Sequence, residues 1–365
     1  MKKLLTLLLV TCLLLCACGG KTEPVPTTTA EPTVAETTTE ATTEATTAAP
    51  TEAVIYRHPL TGEPLDAPFS GRPVAVSLGN TKSALPQTGI SKADVFFEIE
   101  AEGDITRFLS VFTDYSDIKR IGPIRSARSF FNSAAASLDA TIIHCGGSPR
   151  GISGYHDLTG SKISDWSHID QMYNGNYFYR DSARKSAGYA HEHTLFVTGE
   201  KLQAAMTDKK YTENTVTDYG YQFAEDADLQ INGTTANKIV VTFLGTKTST
   251  FEYDSATGLY AMSQYKQKLI DGDTNTQMTF KNLIVLYAKQ TKKNEGYYTR
   301  SYYDLLTTGD GYFAVNGQIV PIKWSRNSLT DAFTYTLEDG TPITMGVGNC
   351  YVGISSTKSS EIKYE

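Results

Sequence analysis

A low-complexity segment decides how much of this 365-residue chain can fold around a core. Residues 21–54 contain thirteen Thr and six Glu, and their only aliphatic side chains larger than Ala are Val25, Val34 and Val54. This composition buries too little apolar surface to offset the loss of chain entropy on folding. We therefore predict a disordered Thr/Glu/Ala/Pro-rich stalk over residues 19–54 and a core confined to residues 55–365.

Residues 1–18 have the layout of a secretory signal peptide, with Lys2 and Lys3 before a short apolar run. The run, residues 4–15, is shorter than the roughly 20 residues that a membrane-spanning helix needs. The tetrapeptide Leu-Cys-Ala-Cys that ends at Cys18 matches a bacterial lipobox, in which the signal is cut before a cysteine that becomes diacylated. Two acyl chains anchor a protein stably, so Cys18 is the expected lipidation site and the bilayer the expected partner. The alternative is an ordinary secreted protein that is cleaved nearby.

The charge of the folded part argues against a nucleic-acid partner. The whole chain carries 33 Lys and Arg against 40 Asp and Glu. Without Lys2, Lys3, Lys21 and the six stalk Glu, 30 basic and 34 acidic residues remain, a net charge of −4. A nucleic-acid surface would instead show a basic excess in a clustered stripe.

Two cysteines remain for the folded part, Cys145 and Cys350, because the other three lie in the signal or at its cleavage site. An extracellular setting allows a disulfide between them. We expect two unpaired, partly buried thiols, because they fall in different predicted domains.

Residues 55–206 are predicted to form a mixed-sheet α/β domain. Strands are expected within 72–80, 104–114 and 138–149, and a turn-rich piece that ends in residues 92–103 lies between the first two. A helix is expected at about 125–137, and a strand and helix within 189–206. The strand–helix–strand order reads as a βαβ unit, which places ligand groups at the carboxyl ends of the strands.

The rest of the chain is predicted to be a polar connector, residues 207–236, and a smaller β-rich domain, residues 237–365. In that domain short strands alternate with turn signals, among them the hairpin dipeptide Asn316-Gly317. The fold class is therefore α+β to α/β.

Segments in both predicted domains carry a family resemblance. They are RPVAVSLGN (72–80), EAEGDITRFLSVF (100–112), IGPIRSAR (121–128), HCGGSP (144–149), HEHTLFVT (191–198), FKNLIVLYAK (280–289) and GDGYFAVNGQIVPIKWSRNS (309–328). In this order they resemble the YerB family of Gram-positive bacterial lipoproteins. The resemblance implies a two-domain membrane-anchored surface protein and supplies no reaction. The chain departs from the family pattern at Cys145, where a small apolar residue is usual, and at Glu192-His193-Thr194, where Pro-His-Asn is usual.

Arginines gather around the Gly122-Pro123 turn, at the start of the predicted helix. The amino end of a helix favours acidic residues, so basic ones there point to a bound anion. A guanidinium group can donate two parallel hydrogen bonds to the oxygens of a phosphate or carboxylate, and the helix end adds N–H donors. The predicted ligand-binding residues are Arg107, Arg125, Ser126, Arg128 and Ser148, with Arg120 nearby. In the alternative, the arginines pair with Glu98, Glu100, Glu102 and Asp104.

Histidines offer acid–base chemistry. His144 ends a predicted strand before two glycines, and His191 and His193 are spaced to face one side of a strand. We predict His144 and His193 as catalytic residues, with satisfied structural histidines as the alternative. A zinc site completed by Asp170 or Glu192 lacks a supporting His-x-x-x-His or Cys pair, so no metal is predicted and the cofactor is unknown.

Two further sets of residues have an ordinary structural explanation. Cys145 and Ser148 are candidate nucleophiles. Neighbouring strand residues point to opposite faces, however, and no Gly-x-Ser-x-Gly elbow is present. Several aromatic side chains could line a glycan groove, although a core role is the more common one. They are Tyr312, Phe313, Trp324 and Tyr351.

The resulting hypothesis is a lipid-anchored protein on the outer face of the cytoplasmic membrane. Its first domain recognises or processes an anionic envelope component, such as a phosphate-bearing or lipid-linked wall glycan. The arrangement of strands and arginines is similar in layout to that of the LytR-CpsA-Psr phosphotransferases. The alternative is a non-catalytic scaffold that binds an envelope protein partner, and the sequence leaves open whether the chain is an enzyme.

Overall fold

The computed structural model describes residues 55–103, 105–148, 167–213, 216, 218–229, 231–243, 247–295, 297–356 and 361–365. These residues belong to one compact unit, Ala53–Glu365. The predicted signal peptide, Cys18 and the stalk up to residue 54 lie outside the described residues.

Strands dominate the described part of the chain, in its first half as well as in the second half, for which the sequence predicts a β-rich domain. In its first half they are β1 (Tyr56–Arg57), β2 (Pro64–Leu65), β3 (Val74–Gly79), β4 (Val95–Glu100), β5 (Thr106–Phe112), β6 (Thr141–His144), β7 (His168–Asp170), β8 (Phe178–Arg180) and β9 (Leu195–Val197). In its second half they are β10 (Gln222–Ala224), β11 (Thr234–Thr235), β12 (Lys238–Thr242), β13 (Thr248–Asp254), β14 (Leu259–Gln264), β15 (Gln267–Lys268), β16 (Thr279–Phe280), β17 (Asn282–Ala288), β18 (Gln290–Glu295), β19 (Tyr298–Tyr303), β20 (Thr308–Val315), β21 (Gln318–Ser325), β22 (Thr334–Thr336), β23 (Thr344–Gly346), β24 (Cys350–Ser356) and β25 (Glu361–Tyr364).

Helices are few in the described residues. The α-helices there are α1 (Ser129–Ala136), α2 (Ser182–Ser186) and α3 (Gly199–Asp208), and short 3₁₀ helices cover Lys82–Ala84, Ile90–Lys92, Gly175–Tyr177 and His191–His193. Thr198 caps α3 as predicted, because its side chain accepts a hydrogen bond from the Lys201 N–H.

Strands from both predicted domains share one large sheet. Eleven of the described strands form it, in the order β11-β21-β20-β17-β24-β4-β5-β3-β6-β7, with β22 attached to β21. The carboxyl-terminal strand β24 pairs in parallel with β17 on one side and with β4 on the other. The sheet is therefore mixed, as predicted, and it continues across the two predicted domains.

The central strands of this sheet are buried on both faces, which explains their nearly continuous apolar sequences. In β4, Val95 and Phe97 pack into one hydrophobic cluster and Phe96 into another. The first cluster includes Phe130 and Phe131 of α1. The second includes residues of α3 and of a six-stranded sheet, β15-β14-β13-β12-β25 with β16.

The predicted βαβ unit around α1 is wrong. β5 runs antiparallel to β3, whereas β6 runs parallel to β3. The strands before and after α1 are therefore antiparallel to each other, with β3 between them. The strand–helix–strand order predicts these elements but not the directions of the strands, because β3 lies between β5 and β6 in the sheet.

Turn chemistry in the second half agrees with the sequence. Asn316 and Gly317 join β20 to β21 with φ of 50° and 73°. Positive φ at both central residues is the geometry that an Asn-Gly hairpin favours. In the part of the chain that the structure describes, no helix is both long and apolar enough to cross a membrane.

Candidate functional site

The segment before α1 lies across the carboxyl ends of the parallel strands β3 and β6. The Arg125 N–H donates to the Ser77 carbonyl oxygen at 2.8 Å, and the Cys145 N–H donates to the Arg125 carbonyl oxygen at 3.1 Å. The Ala127 N–H donates to the Gly146 carbonyl oxygen at 3.0 Å. The predicted arginines are thus held where two parallel strands end, the edge at which ligands bind in open α/β sheets.

The helix itself begins later than predicted. α1 starts at Ser129, and Arg128 is its N-cap residue with an extended backbone, φ −136° and ψ 152°. The predicted helix start at about 125 is therefore wrong, and Arg125 lies before the helix and not on a helical face with Arg128. The segment is extended because its backbone pairs with both strand ends.

Glu102 is the centre of an arginine cluster that we define as Glu102, Arg107, Arg128 and Arg300. Arg107 Nη2 lies 3.3 Å and Arg300 Nη1 2.8 Å from Glu102 Oε1. Arg128 is bidentate, with Nε 3.0 Å from Oε2 and Nη2 on Oε1. Burial opposes ionisation of Glu102, but the Arg128 hydrogen bond and the two nearby arginine charges outweigh it and lower its pKa to about 2.

Arg107 is the most enclosed member of this cluster. It is 4% exposed, and its Nη1 donates to the Ser126 carbonyl oxygen at 2.9 Å. Burial first, and then the charge of Arg128, lower its pKa to about 9, against the opposing effect of Glu102. Among the described contacts, Arg107 therefore shares the Glu102 carboxylate with Arg128, and the two cations disfavour each other.

Arg125 adds a more accessible cation beside the cluster. Its side chain is 19% exposed, and Nη1 lies 3.1 Å from Oε2 of Glu192, whose side chain is 59% exposed. A Cβ at Gly79 would lie 3.2 Å from Arg125 Cγ, so the glycine makes room for the arginine stem at the end of β3. Burial opposes ionisation of Glu192, but Arg125 outweighs it and lowers the Glu192 pKa.

His193 lies next to Arg125, but not in the predicted strand. Residues 191–193 form a 3₁₀ turn that exposes His191 and buries His193, so the expected common face is wrong. His193 Nε2 is 3.1 Å from Ser83 Oγ and 3.6 Å from Glu192 Oε1. Burial and the Arg125 charge lower the His193 pKa, so the imidazole is held neutral.

His144 belongs to another hydrogen-bond network among the described residues. Its Nδ1 lies 2.8 Å from the Gly146 carbonyl oxygen, which can only accept, so Nδ1 carries the proton. Its Nε2 then accepts from His168 Nδ1 at 3.2 Å. The structure thus brings Arg125 near His193 and directs the His144 ring towards His168.

The histidine pair makes stability depend on pH. Burial first, and then the charge of His144, lower the pKa of His168 from 6.5 to about 4, and burial lowers that of His144. A pKa that is depressed in the folded state gives stability above pH 6.5 that is lost as the pH falls towards 4. We expect urea denaturation to show a loss of about 2 kcal/mol from this pair between pH 7 and pH 4.5. A His168→Gln variant should show a smaller loss, and a loss equal to that of the wild type would contradict the assignment.

The remaining predicted residues take structural positions or stay untested. Ser126 contributes its carbonyl oxygen to Arg107, and Ser148 is 3% exposed. Asp104 lies outside the described residues. Of the predicted carboxylate partners, Glu102 binds the arginines, Glu98 binds Lys247 and Glu100 accepts from Tyr303 and Ser355.

The alternative chemistries receive no geometric support. Cys145 and Cys350 are free, which confirms the expected unpaired thiols, and burial raises the pKa of Cys145. Among the described residues, no group of three or more His, Cys, Asp or Glu side chains is arranged to hold a metal ion. Trp324 and Tyr351 are 1% and 0% exposed, so they are core residues and do not line a groove.

Sequence reasoning missed Ser83, Arg300 and the central position of Glu102. Arg300 reaches Glu102 across 198 residues of sequence, and Ser83 reaches His193 across 110. No local pattern signals such contacts.

The shared mixed sheet and the order of segments along the chain define a class of β-rich protein in which two successive sequence regions fold into one compact unit. Two family descriptions match, "Protein of unknown function (DUF3048) N-terminal domain" over residues 60–212 and the corresponding C-terminal domain over residues 239–352. The chain belongs to the YerB family, which confirms the resemblance seen in its sequence.

Known proteins support the same assignment. The chain is 27% identical over 279 residues to "Putative lipoprotein YerB" of Bacillus subtilis (strain 168), covering 73% of this chain and 80% of the relative. The crystal structure of YerB from Bacillus subtilis superposes with a TM-score of 0.69 at 23% identity, over 84% of this chain and 99% of that one. At this identity the structural likeness supports the fold alone.

Proposed function

We propose that the chain is a surface lipoprotein whose compact unit recognises an anionic, phosphate-bearing component of the cell envelope. The observation that carries the proposal is a surplus of positive charge. Among the described contacts, Arg107, Arg125 and Arg128 share two carboxylates, Glu102 and Glu192. An anion that joins this group would offset the remaining charge.

Arg125 is the expected point of contact, because its carboxylate partner is exposed and can be exchanged. Exposed ion pairs contribute little free energy, so an incoming phosphate competes with Glu192 on favourable terms. The extended segment leads into the amino end of α1. The N-cap residue there is an arginine, whose side chain has no acceptor atom for the N–H groups of the first helical turn.

The binding test uses the compact unit Ala53–Glu365, since it lacks Cys18 and so cannot insert into vesicles through acyl chains. Vesicles that contain a polyprenyl phosphate are compared with vesicles that contain the neutral polyprenol. We expect Arg125→Gln to weaken binding about tenfold or more, as loss of one charge-assisted hydrogen bond predicts. Glu192→Gln should strengthen binding, because it removes the competing carboxylate.

Lys201→Gln is the matched control, since Lys201 is an exposed cation on α3. It should leave binding unchanged. Equal binding to phosphate and polyprenol vesicles, or equal effects of Arg125→Gln and Lys201→Gln, would refute the proposal.

Anchoring through Cys18 is the second part of the proposal, supported by the name of the Bacillus relative. We expect Cys18→Ser in the full chain to abolish labelling with radioactive palmitate and to release the protein from the membrane fraction. Cys16→Ser is the control and should leave both unchanged. Undiminished labelling of Cys18→Ser would show that the anchor lies elsewhere.

A non-catalytic scaffold that binds an envelope protein is the second candidate. The observation in its favour is that Glu102 ties together β5, α1 and β19 through three arginines. In that case the cluster braces the fold, and Arg125→Gln changes neither vesicle binding nor wall association.

A further inference from the structure

A cavity of about 340 Å³ lies away from the carboxyl ends of β3 and β6, beneath the two-stranded ribbon of β18 and β19. Its size falls within the ~300–1,000 Å³ of small-molecule sites. Ser133 of α1, residues of the ribbon, the chain after β19 and Leu329 line it.

The floor of the cavity is apolar. Tyr302, Leu305 and Leu329 are each less than 9% exposed, and Leu306 beside them is half-buried. These side chains can remove the apolar body of a ligand from water, at about 25 cal/mol per Å² buried.

The rim of the cavity is cationic. Lys289 and Lys293 are exposed and line it together with one acid, Asp304, whose Oδ1 accepts from the Leu306 N–H at 3.3 Å. Arg326 Nη1 donates to Ser133 Oγ at 2.8 Å and is itself 1% exposed. Two lysines and one aspartate are thus the charged residues among the described residues that line this cavity.

The strand pairing places the lysines over the floor. Lys293 pairs with Arg300 and Thr291 with Tyr302, so these side chains share one face of the ribbon. Lys293 Nζ lies 5.6 Å from the centre of the Tyr302 ring. A cation at the edge of an apolar floor is the arrangement that binds an acid group and an attached apolar body together.

We propose that this cavity is a binding site for a small amphipathic anion, an apolar body of ring or short-chain type with one acidic group. The acidic group lies between Lys289 and Lys293, and the apolar body fills the floor between Tyr302 and Leu329. The site is separate from Arg125 and does not depend on the proposed function.

The test uses two probes of the same shape and different charge, on the compact unit Ala53–Glu365. They are the anion 8-anilinonaphthalene-1-sulfonate and the neutral N-phenyl-1-naphthylamine, each followed by fluorescence titration. We expect saturable binding of one anion per chain. The double substitution Lys289→Gln and Lys293→Gln should weaken anion binding at least fivefold and leave neutral-probe binding within twofold.

Two further variants keep the test specific. Leu306→Trp fills the floor and should abolish binding of both probes. The double substitution Lys201→Gln and Lys209→Gln removes two exposed charges from α3 and its end, and it should behave as wild type. Absence of saturable binding, equal effects of the two lysine double substitutions, or undiminished binding by a folded Leu306→Trp would overturn the proposal.

Discussion

Replacing Glu102 by Gln is expected to lower the free energy of unfolding by about 3–5 kcal/mol, because three largely buried arginines lose their shared carboxylate. The total stability of a folded protein is about 5–15 kcal/mol, so the loss is a large part of it. Urea denaturation of the compact unit measures the effect. Glu225→Gln is the matched control, since Glu225 also pairs with an arginine but is 57% exposed, and it should cost less than about 1 kcal/mol.

The pH dependence separates lost charge from lost packing in this experiment. The folded-state pKa of Glu102 is about 2 and its reference value is 4.5, so its charge stabilises the fold above pH 4.5 and ceases to do so as the pH falls towards 2. Wild type and Glu102→Gln should therefore converge in stability below pH 4.5. A difference that stays constant down to pH 2.5 would show that packing, and not the carboxylate charge, is responsible.

The sequence predicted the elements of the fold better than their arrangement. Buried strands such as β3, β5 and β6 stand out as apolar runs because both faces of the sheet are covered. The insertion of β24 between β17 and β4 joins residues more than 250 positions apart, as in the Val352 and Phe97 pair. Local periodicity carries no information on such pairing, and for the same reason the direction of β6 relative to β5 was predicted wrongly.

The candidate site was predicted in part. Arg107, Arg125 and Arg128 do lie close together, because the short segment that contains two of them crosses the ends of β3 and β6. The choice between an external anion and internal carboxylates could not be made from sequence, since it depends on where Glu102 and Arg300 come to lie. In the structure, Glu102 binds the buried arginines, whereas the more accessible Arg125 is paired with an exposed glutamate.

Removal of the buried cation Lys247 is the second large effect that we expect. Lys247 and Glu98 are 4% and 0% exposed, and Lys247 Nζ lies 2.9 Å from Glu98 Oε1. Ser249 joins the pair, because its hydroxyl accepts from Lys247 at 2.9 Å and donates to Glu98 Oε2 at 2.7 Å. The contact links β4 of the central sheet to the second sheet, and so connects the segments matched by the two family descriptions.

Lys247→Met should therefore cost about 3–5 kcal/mol, because it leaves the Glu98 carboxylate buried without a cation. The double substitution Lys247→Met with Glu98→Gln should recover most of this loss, since removing both charges also removes the cost of burying them. Lys323→Met is the control: Lys323 pairs with Asp310 at the surface, where both side chains are more than half exposed, and its loss should leave the free energy of unfolding nearly unchanged. If the double variant is as unstable as Lys247→Met in urea, the ion pair is not what holds the second sheet against the first. The stability of this interface would then rest on its apolar contacts, such as those of Phe251 and Phe280 with Tyr351.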